Sequence, residues 1–404
     1  MPSNPFGFAM PGDQPPDPSD PQQMQRLLAQ LQQLLAAPGA TGPVNWELAR
    51  QVAANQLKSG GDPPVGPADR NAVGEALRLA DLWLDPLSAL PSGVQTTAAW
   101  NRNEWVYHTL DVWKKLCDPV ASRMVGAMND LVPPEAQSSM GPMQTMVAAL
   151  GGALFGGQLG QALGSLAAEV LSAGDIGLPL GPAGTAALVP ANIAAYGEGL
   201  EIDAEQVRLY VALREAAHQR LFGHVPWLRG HVLTAVETYA NGIRVDREAV
   251  EEAMSKFDPA DPESMRQLQV EGIFSPESSP AQTAALNRLE TVLALVEGWV
   301  CHLVDTAAAG RLPEAVRLSE AFRRRRAAGG PAEQTFAALV GLELRPRRLR
   351  EAAAIWAALT SHRGSDGRDA VWQHPDLLPT EDDFADPERF AKNPPDLDFP
   401  DQLS

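Results

Sequence analysis

VRLYVALREAAHQRLFGHVPWLRGHV, residues 207–232, is the stretch on which the fold turns. Val207, Val211, Arg214, His218 and Leu221 are spaced 4, 3, 4 and 3, so one face of a helix carries all five. The stripe begins apolar and then holds an arginine and a histidine. Both therefore point inward, where an unpaired guanidinium is costly and needs a buried carboxylate. Glu215 and His218 also form a Glu-x-x-His unit. In a His-Glu-x-x-His helix the two histidines share a face and aim at one Zn²⁺, and the glutamate polarises the metal-bound water. Here the five positions read Arg-Glu-Ala-Ala-His, with arginine in the first histidine position. Taken alone, Glu-x-x-His is a frequent accident of helices and reads as a surface glutamate beside a core histidine.

The partner carboxylate is found on a second helix, NRLETVLALVEGWVCHLVDTAAAG at 287–310. Leu293, Glu297, Val300 and Val304 form a stripe that Glu297 interrupts, and Gly298 beside it permits close helix approach. His302 and Asp305 are spaced i, i+3 and form a candidate hydrogen-bonded pair behind the site.

Working outward, the chain reads as helical. Asn45 caps a helix over 46–58, and others cover about 68–84, 103–131, 203–222, 226–242, 246–256, 261–271, 281–308, 313–328, 331–341 and 346–361. Between Glu135 and Glu169 no residue is charged. That stretch is long enough to cross a bilayer. Its glutamines and glycines, with GxxxG spacing at Gly160 and Gly164, read instead as a buried helix packed through small residues. A short extended piece is expected near 175–189. Residues 1–40 form a Pro-rich disordered tail with an amphipathic helix at 22–37, 41–375 a single helical domain, and 376–404 an acidic extended or disordered tail.

The formal net charge of −18 excludes nucleic acid as the main partner. It is uneven, because the last 29 residues hold nine acidic and two basic side chains. Between 323 and 350 there are eight arginines against two glutamates, with Arg323 to Arg326 consecutive. This basic run reads as a solvated helix end, possible company for the acidic tail. The absence of a basic, apolar leader and the two separated cysteines, Cys117 and Cys301, point to a cytoplasmic protein with reduced thiols. No Walker loop, strand-borne GxGxxG or CxxC pair occurs.

The two windows, together with NPFGF (4–8), GPVNWELARQ (42–51), EWVYHTLDVWKKLCDPVA (104–121), LVPANI (188–193), HVPWLR (224–229), LVEGWVCHLVDTA (295–307), GLELRPRRLREAAAIWAAL (341–359) and GRDAVWQHPDLLPT (367–380), resemble the actinobacterial zincin-like family of zinc-dependent metalloproteases. The NPFGF start is similar to a branch labelled hydrolase. The resemblance implies a mainly α, gluzincin-type metalloprotease fold with at most a small β element. It implies zinc in the family, with Glu215 as general base, His218 as the second histidine ligand and Glu297 as the third ligand.

Arg214 departs from that pattern. An arginine keeps its proton and offers a metal no lone pair, and two ligands fall short of the usual three. Three expectations follow. The chain is a metal-free pseudoenzyme or binding protein with Arg214 in place of the first ligand, acting on an unknown peptide or protein. Alternatively it is an active zinc hydrolase that recruits His224 or His231 as a substitute ligand. The third expectation is a helical interaction module without metal chemistry, which requires Arg214 to be exposed and remote from Glu297.

Overall fold

The computed structural model describes residues 42–129, 141–241, 280–327, 348–393 and 395. The N-terminal helix expected at 22–37 and those at 246–256, 261–271 and 331–341 lie outside the described residues. The expected domain start at 41 lies at their edge.

Helix α1 (Trp46–Gly60) begins where Asn45 accepts the Leu48 amide at 3.0 Å. Helix α2 (Pro67–Leu84) leads to strand β1 (Thr96–Ala99). Helix α3 (Arg102–Asn129) runs on through Pro119 and buries Trp105, Leu110, Trp113 and Leu116, the face its sequence spacing marks. Helix α4 (Gly141–Ala167) is the long uncharged stretch. A Cβ at Gly160 would lie 2.4 Å from the Ala49 carbonyl oxygen, and one at Gly156 2.4 Å from the Asn45 carbonyl oxygen, so these two glycines lie directly on the backbone at the start of α1. Among the described residues the helix apolar enough to cross a membrane is a different one, Pro280–Ala308, and 78% of its most apolar window is buried by the protein itself.

Strand β2 (Thr185–Leu188) pairs parallel with β1, Thr96 opposite Thr185 and Ala99 opposite Leu188. This is the extended piece expected near 175–189. The loop before it doubles back, and Ser172 forms an antiparallel bridge with Leu188. Helices α5 (Pro190–Glu198), α6 (Ala204–His224) and α7 (Pro226–Asn241) follow. Asp203 caps α6 by accepting the Glu205 amide at 2.9 Å, and Pro226 occupies the first turn of α7, where its missing N–H costs nothing. From Val207 to Leu221, α6 is buried on nearly every side.

Helix α8 (Pro280–Ala308) crosses α6 and supports α10 (Leu349–Asp369), with α9 (Ala315–Ala327) between them in sequence. At Gly298 a Cβ would meet the Ala352 Cβ at 2.6 Å, which is the close approach the glycine implies. The fold is thus mainly α, with one two-stranded sheet among the described residues.

The acidic C-terminal segment corrects its expectation. Residues 376–393 are not extended. They form 3₁₀ turns at Pro375–Leu377 and Glu381–Ala385 and helix α11 (Pro387–Lys392). Phe384, Phe390 and Ala391 are buried, and these apolar anchors outweigh the surrounding charge.

Candidate functional site

The α6 stripe is buried along its whole length: Val207, Val211, Arg214, His218 and Leu221 all face the core. Glu297 of α8 meets it there. The Arg214 Nη2 donates to Glu297 Oε2 at 2.6 Å, and His218 Nε2 lies 2.8 Å from Glu297 Oε1. Arg214 and Glu297 are 3% and 1% exposed, so this is an ion pair sealed from water. The Arg214 guanidinium also reaches the Cys301 sulfur at 3.5 Å and stacks 5.1 Å over the Phe322 ring. A remote, solvent-facing Arg214, as the interaction-module expectation requires, is not what the protein has.

Glu215 lies one step round the helix, fully buried. Its Oε2 accepts the Gly174 amide at 2.8 Å and its Oε1 accepts Gln219 Nε2 at 2.9 Å. The bland reading of a surface glutamate therefore fails. The Gly174–Gly177 turn covers the site. Gly177 has φ +79°, and a Cβ there would meet Glu297 Oε1 at 2.8 Å, so both conformation and space require glycine.

A second guanidinium is present. Arg326 Nη2 donates to Glu297 Oε1 at 3.1 Å and also to the Asp175 carbonyl. Arg325 donates to Asp175 Oδ2 at 2.8 Å and to the Glu169 carbonyl at 2.6 Å. The run Arg323–Arg326 is thus not a solvated helix end, apart from Arg324, which is exposed and pairs with Glu320. Leu318 and Phe322 anchor α9 in the core, and the next turn carries Arg325 and Arg326 onto the site. The later basic residues do meet the acidic segment, through Arg348 and the Glu381 carboxylate at 3.0 Å.

Electrostatically, burial alone would raise the Glu297 pKa. Arg326, Arg214 and His218 outweigh that and hold it well below the usual carboxylate range. Asp175 is treated the same way: burial pushes up, Arg325 and Arg326 pull down, and the net shift is down. Burial likewise opposes the charge on Arg214, but Glu297 reverses this and fixes its proton more firmly. Burial pushes the Cys301 thiol up, against the pull of Arg214.

The other sequence candidates lie elsewhere. His302 and Asp305 do not pair. His302 Nε2 contacts Thr360 Oγ1 at 2.9 Å, and burial with nearby Arg368 pushes its pKa down to about 4. Asp305 instead accepts Arg323 at 2.6 Å and the Tyr210 hydroxyl at 3.3 Å. The i, i+3 spacing allowed the pair, but each side chain found a better partner on another helix. His224 Nδ1 turns back to the Arg220 carbonyl at 3.0 Å, and His231 packs edge-on against Trp227. Neither contacts His218 or Glu297: His224 is the last residue of α6, and the chain turns at Val225 before His231 on α7.

The donor set does not suit zinc. Both Glu297 oxygens accept from guanidinium or imidazole donors, and Arg214 and Arg326 set two fixed positive charges against the one carboxylate a dication would need.

A family model described as zincin-like metallopeptidase matches residues 44–391. This chain belongs to that family. Comparison with curated proteins finds no match. Among solved structures, the fold is similar to "a putative hydrolase with a novel fold" from Chloroflexus aurantiacus, with a TM-score of 0.60 and 22% identity over 86% of this chain and 98% of the other. At that identity the likeness concerns the fold. Zinc belongs to the zincin-like metallopeptidase family as a whole.

Proposed function

We propose that this chain is a metal-free member of its peptidase family, a pseudoenzyme retained for binding a peptide or protein. The observation that carries the reading is the buried Arg214–Glu297 contact of 2.6 Å. A guanidinium neutralises a carboxylate through directed hydrogen bonds without any metal. Arg326 adds a second positive charge at the same carboxylate. In this reading Arg214 replaces the first zinc ligand, while His218 and Glu297 keep the ligand positions without the ion. Glu215, the general base that the family resemblance implies, is fully buried and accepts Gly174 N–H and Gln219 Nε2, so its carboxylate is engaged by the protein rather than facing open solvent. The two unpaired thiols, Cys117 and Cys301, accord with a cytoplasmic setting.

The test is elemental analysis after equilibration with zinc. Wild type is expected to carry substoichiometric zinc, and Arg214→His alone to remain so because Arg326 still occupies Glu297. The double variant Arg214→His/Arg326→Gln is expected to gain one zinc per chain. Stoichiometric zinc in wild type would overturn the reading in favour of an active metallohydrolase.

A further inference from the structure

Next to the site, the loop from Ala173 to Gly184, the end of α6 and the start of α7 enclose a cavity of ≈ 70 Å³. Its wall toward Glu215 is made by Gly174 and Gln219, the two residues that donate to that carboxylate. A smaller cavity of ≈ 20 Å³ shares Leu178, Pro179 and Arg229 with it and extends toward Leu116 and Val232.

Three donors at this place lack acceptors among the described residues. Arg229 is half-buried, yet its guanidinium meets no carboxylate or carbonyl there. Leu178 and Gly181 are buried, and neither backbone amide has an acceptor among the described residues. Buried amides in native proteins are nearly always paired, with protein, water or ligand. Burial also pushes the Arg229 pKa down, a cost that an anionic partner would remove. The remaining wall is apolar, with Leu180 and Phe222, while the rim at Pro182 and Ala183 is exposed. A ligand held inside can therefore continue outward as a chain.

We propose that this cavity binds the C-terminal residue of a peptide. Its carboxylate would lie on Arg229 and the free Leu178 and Gly181 amides, and its apolar side chain would point toward the smaller cavity. Arg229 is the cation that lines the larger cavity, and Lys115 joins it at the smaller one; one guanidinium beside the two amides suits a carboxylate, whereas phosphate recognition by arginine generally uses several donors of higher total charge. The inference gives the binding reading above a ligand class but does not need the metal-free reading. Zinc analysis reports on Glu297, and the present test reports on Arg229.

The experiment is calorimetric titration of the full chain with N-acetyl-L-leucine, N-acetyl-L-leucinamide, acetate and inorganic phosphate. The acid is expected to bind saturably at one site. Amidation of the ligand and Arg229→Gln in the protein are each expected to weaken binding by about tenfold or more. Combined, they should weaken it no further than either alone, since both remove the same contact. Arg229→Lys, which keeps the charge and loses the fork, is expected to fall between. Equal binding of acid and amide, acetate or phosphate binding as well as the acid, an unchanged Arg229→Gln variant, or no binding of the acid would each overturn the proposal. Arg229→Gln is expected to melt with the wild type, because the guanidinium supports nothing in the free protein.

Discussion

Among the described residues, Arg368–Asp369 and Arg214–Glu297 are the arginine–carboxylate pairs almost wholly buried on both sides, and they are built differently. Arg368 and Asp369 are neighbours in sequence, joined at 2.7 and 2.9 Å. Asp369 also accepts Trp299 Nε1, Ser88 Oγ and the Ala89 amide at 2.8, 2.9 and 2.8 Å, while Arg368 donates to the Leu87 carbonyl at 2.8 Å. This pair fastens a loop to two helices, and much of its hydrogen bonding goes to backbone. The Arg214–Glu297 site is an assembly of side chains from α6, α8 and α9, with more cation than its one shared carboxylate needs. It also leaves His218 Nδ1 buried without a partner among the described residues. The first pair is required by the backbone around it. The second is required by its own charges, which is what a filled ion site would leave.

That contrast predicts the largest effect. Glu297→Ala strands two guanidiniums in the core and is expected to cost about 3–5 kcal/mol in urea unfolding. Replacing the whole set, Arg214→Met/Glu297→Leu/Arg326→Met, should recover most of that loss, because a buried ion cluster exchanged for packed apolar groups is often near neutral. Arg368→Met/Asp369→Leu should not recover in the same way. It leaves Ser88, the Ala89 amide and Trp299 without an acceptor, at roughly 1–3 kcal/mol each. Equal recovery in both sets would erase the distinction.

Acid separates the two regions next. His302 sits near Arg368, and its folded pKa is lowered to about 4 from an unfolded value of about 6.5. The unfolded chain therefore binds the proton first, and stability falls as pH drops through that window. Glu297 is also lowered, so its contribution is full above the unfolded carboxylate value of about 4.3 and is lost below it. Stability against pH is expected to fall in two stages. His302→Gln should flatten the first and Glu297→Gln the second, and a single stage sensitive to neither would contradict this.

The smallest effect belongs to the rim. Arg323 and Asp305 pair at 2.6 Å with each side chain about a third exposed, at 36% and 34%. Asp305→Asn is expected to cost under about 1 kcal/mol and to shrink further in high salt. A larger loss would place Asp305 inside the buried network.

Arg214, His218 and Glu297 are readable from sequence because each interrupts an apolar stripe of fixed helical period. That signal is local, and the inference that a buried arginine needs a carboxylate does the rest. Asp175, Arg325 and Arg326 are not read in the same way. Asp175 sits in a glycine-rich loop with no period, and it meets Arg325 150 positions away. Four adjacent arginines read as solvated because charge dominates their composition. Yet Leu318 and Phe322 begin a stripe that Arg325 and Arg326 continue, the same clue that Arg214 gives on α6. The C-terminal segment fails for a related reason, since its charge average hides Phe384 and Phe390. His224 and His231 are suggested by proximity along the chain, but His224 bonds back to its own helix and His231 lies beyond the turn at Val225.

The turn at Gly174–Gly177 also has a kinetic consequence. It lies directly on Glu215 and Glu297, so nothing from solution reaches either carboxylate while it stays in place. Hydrogen exchange at the Gly174 amide, which Glu215 accepts, would then report local opening of this turn directly.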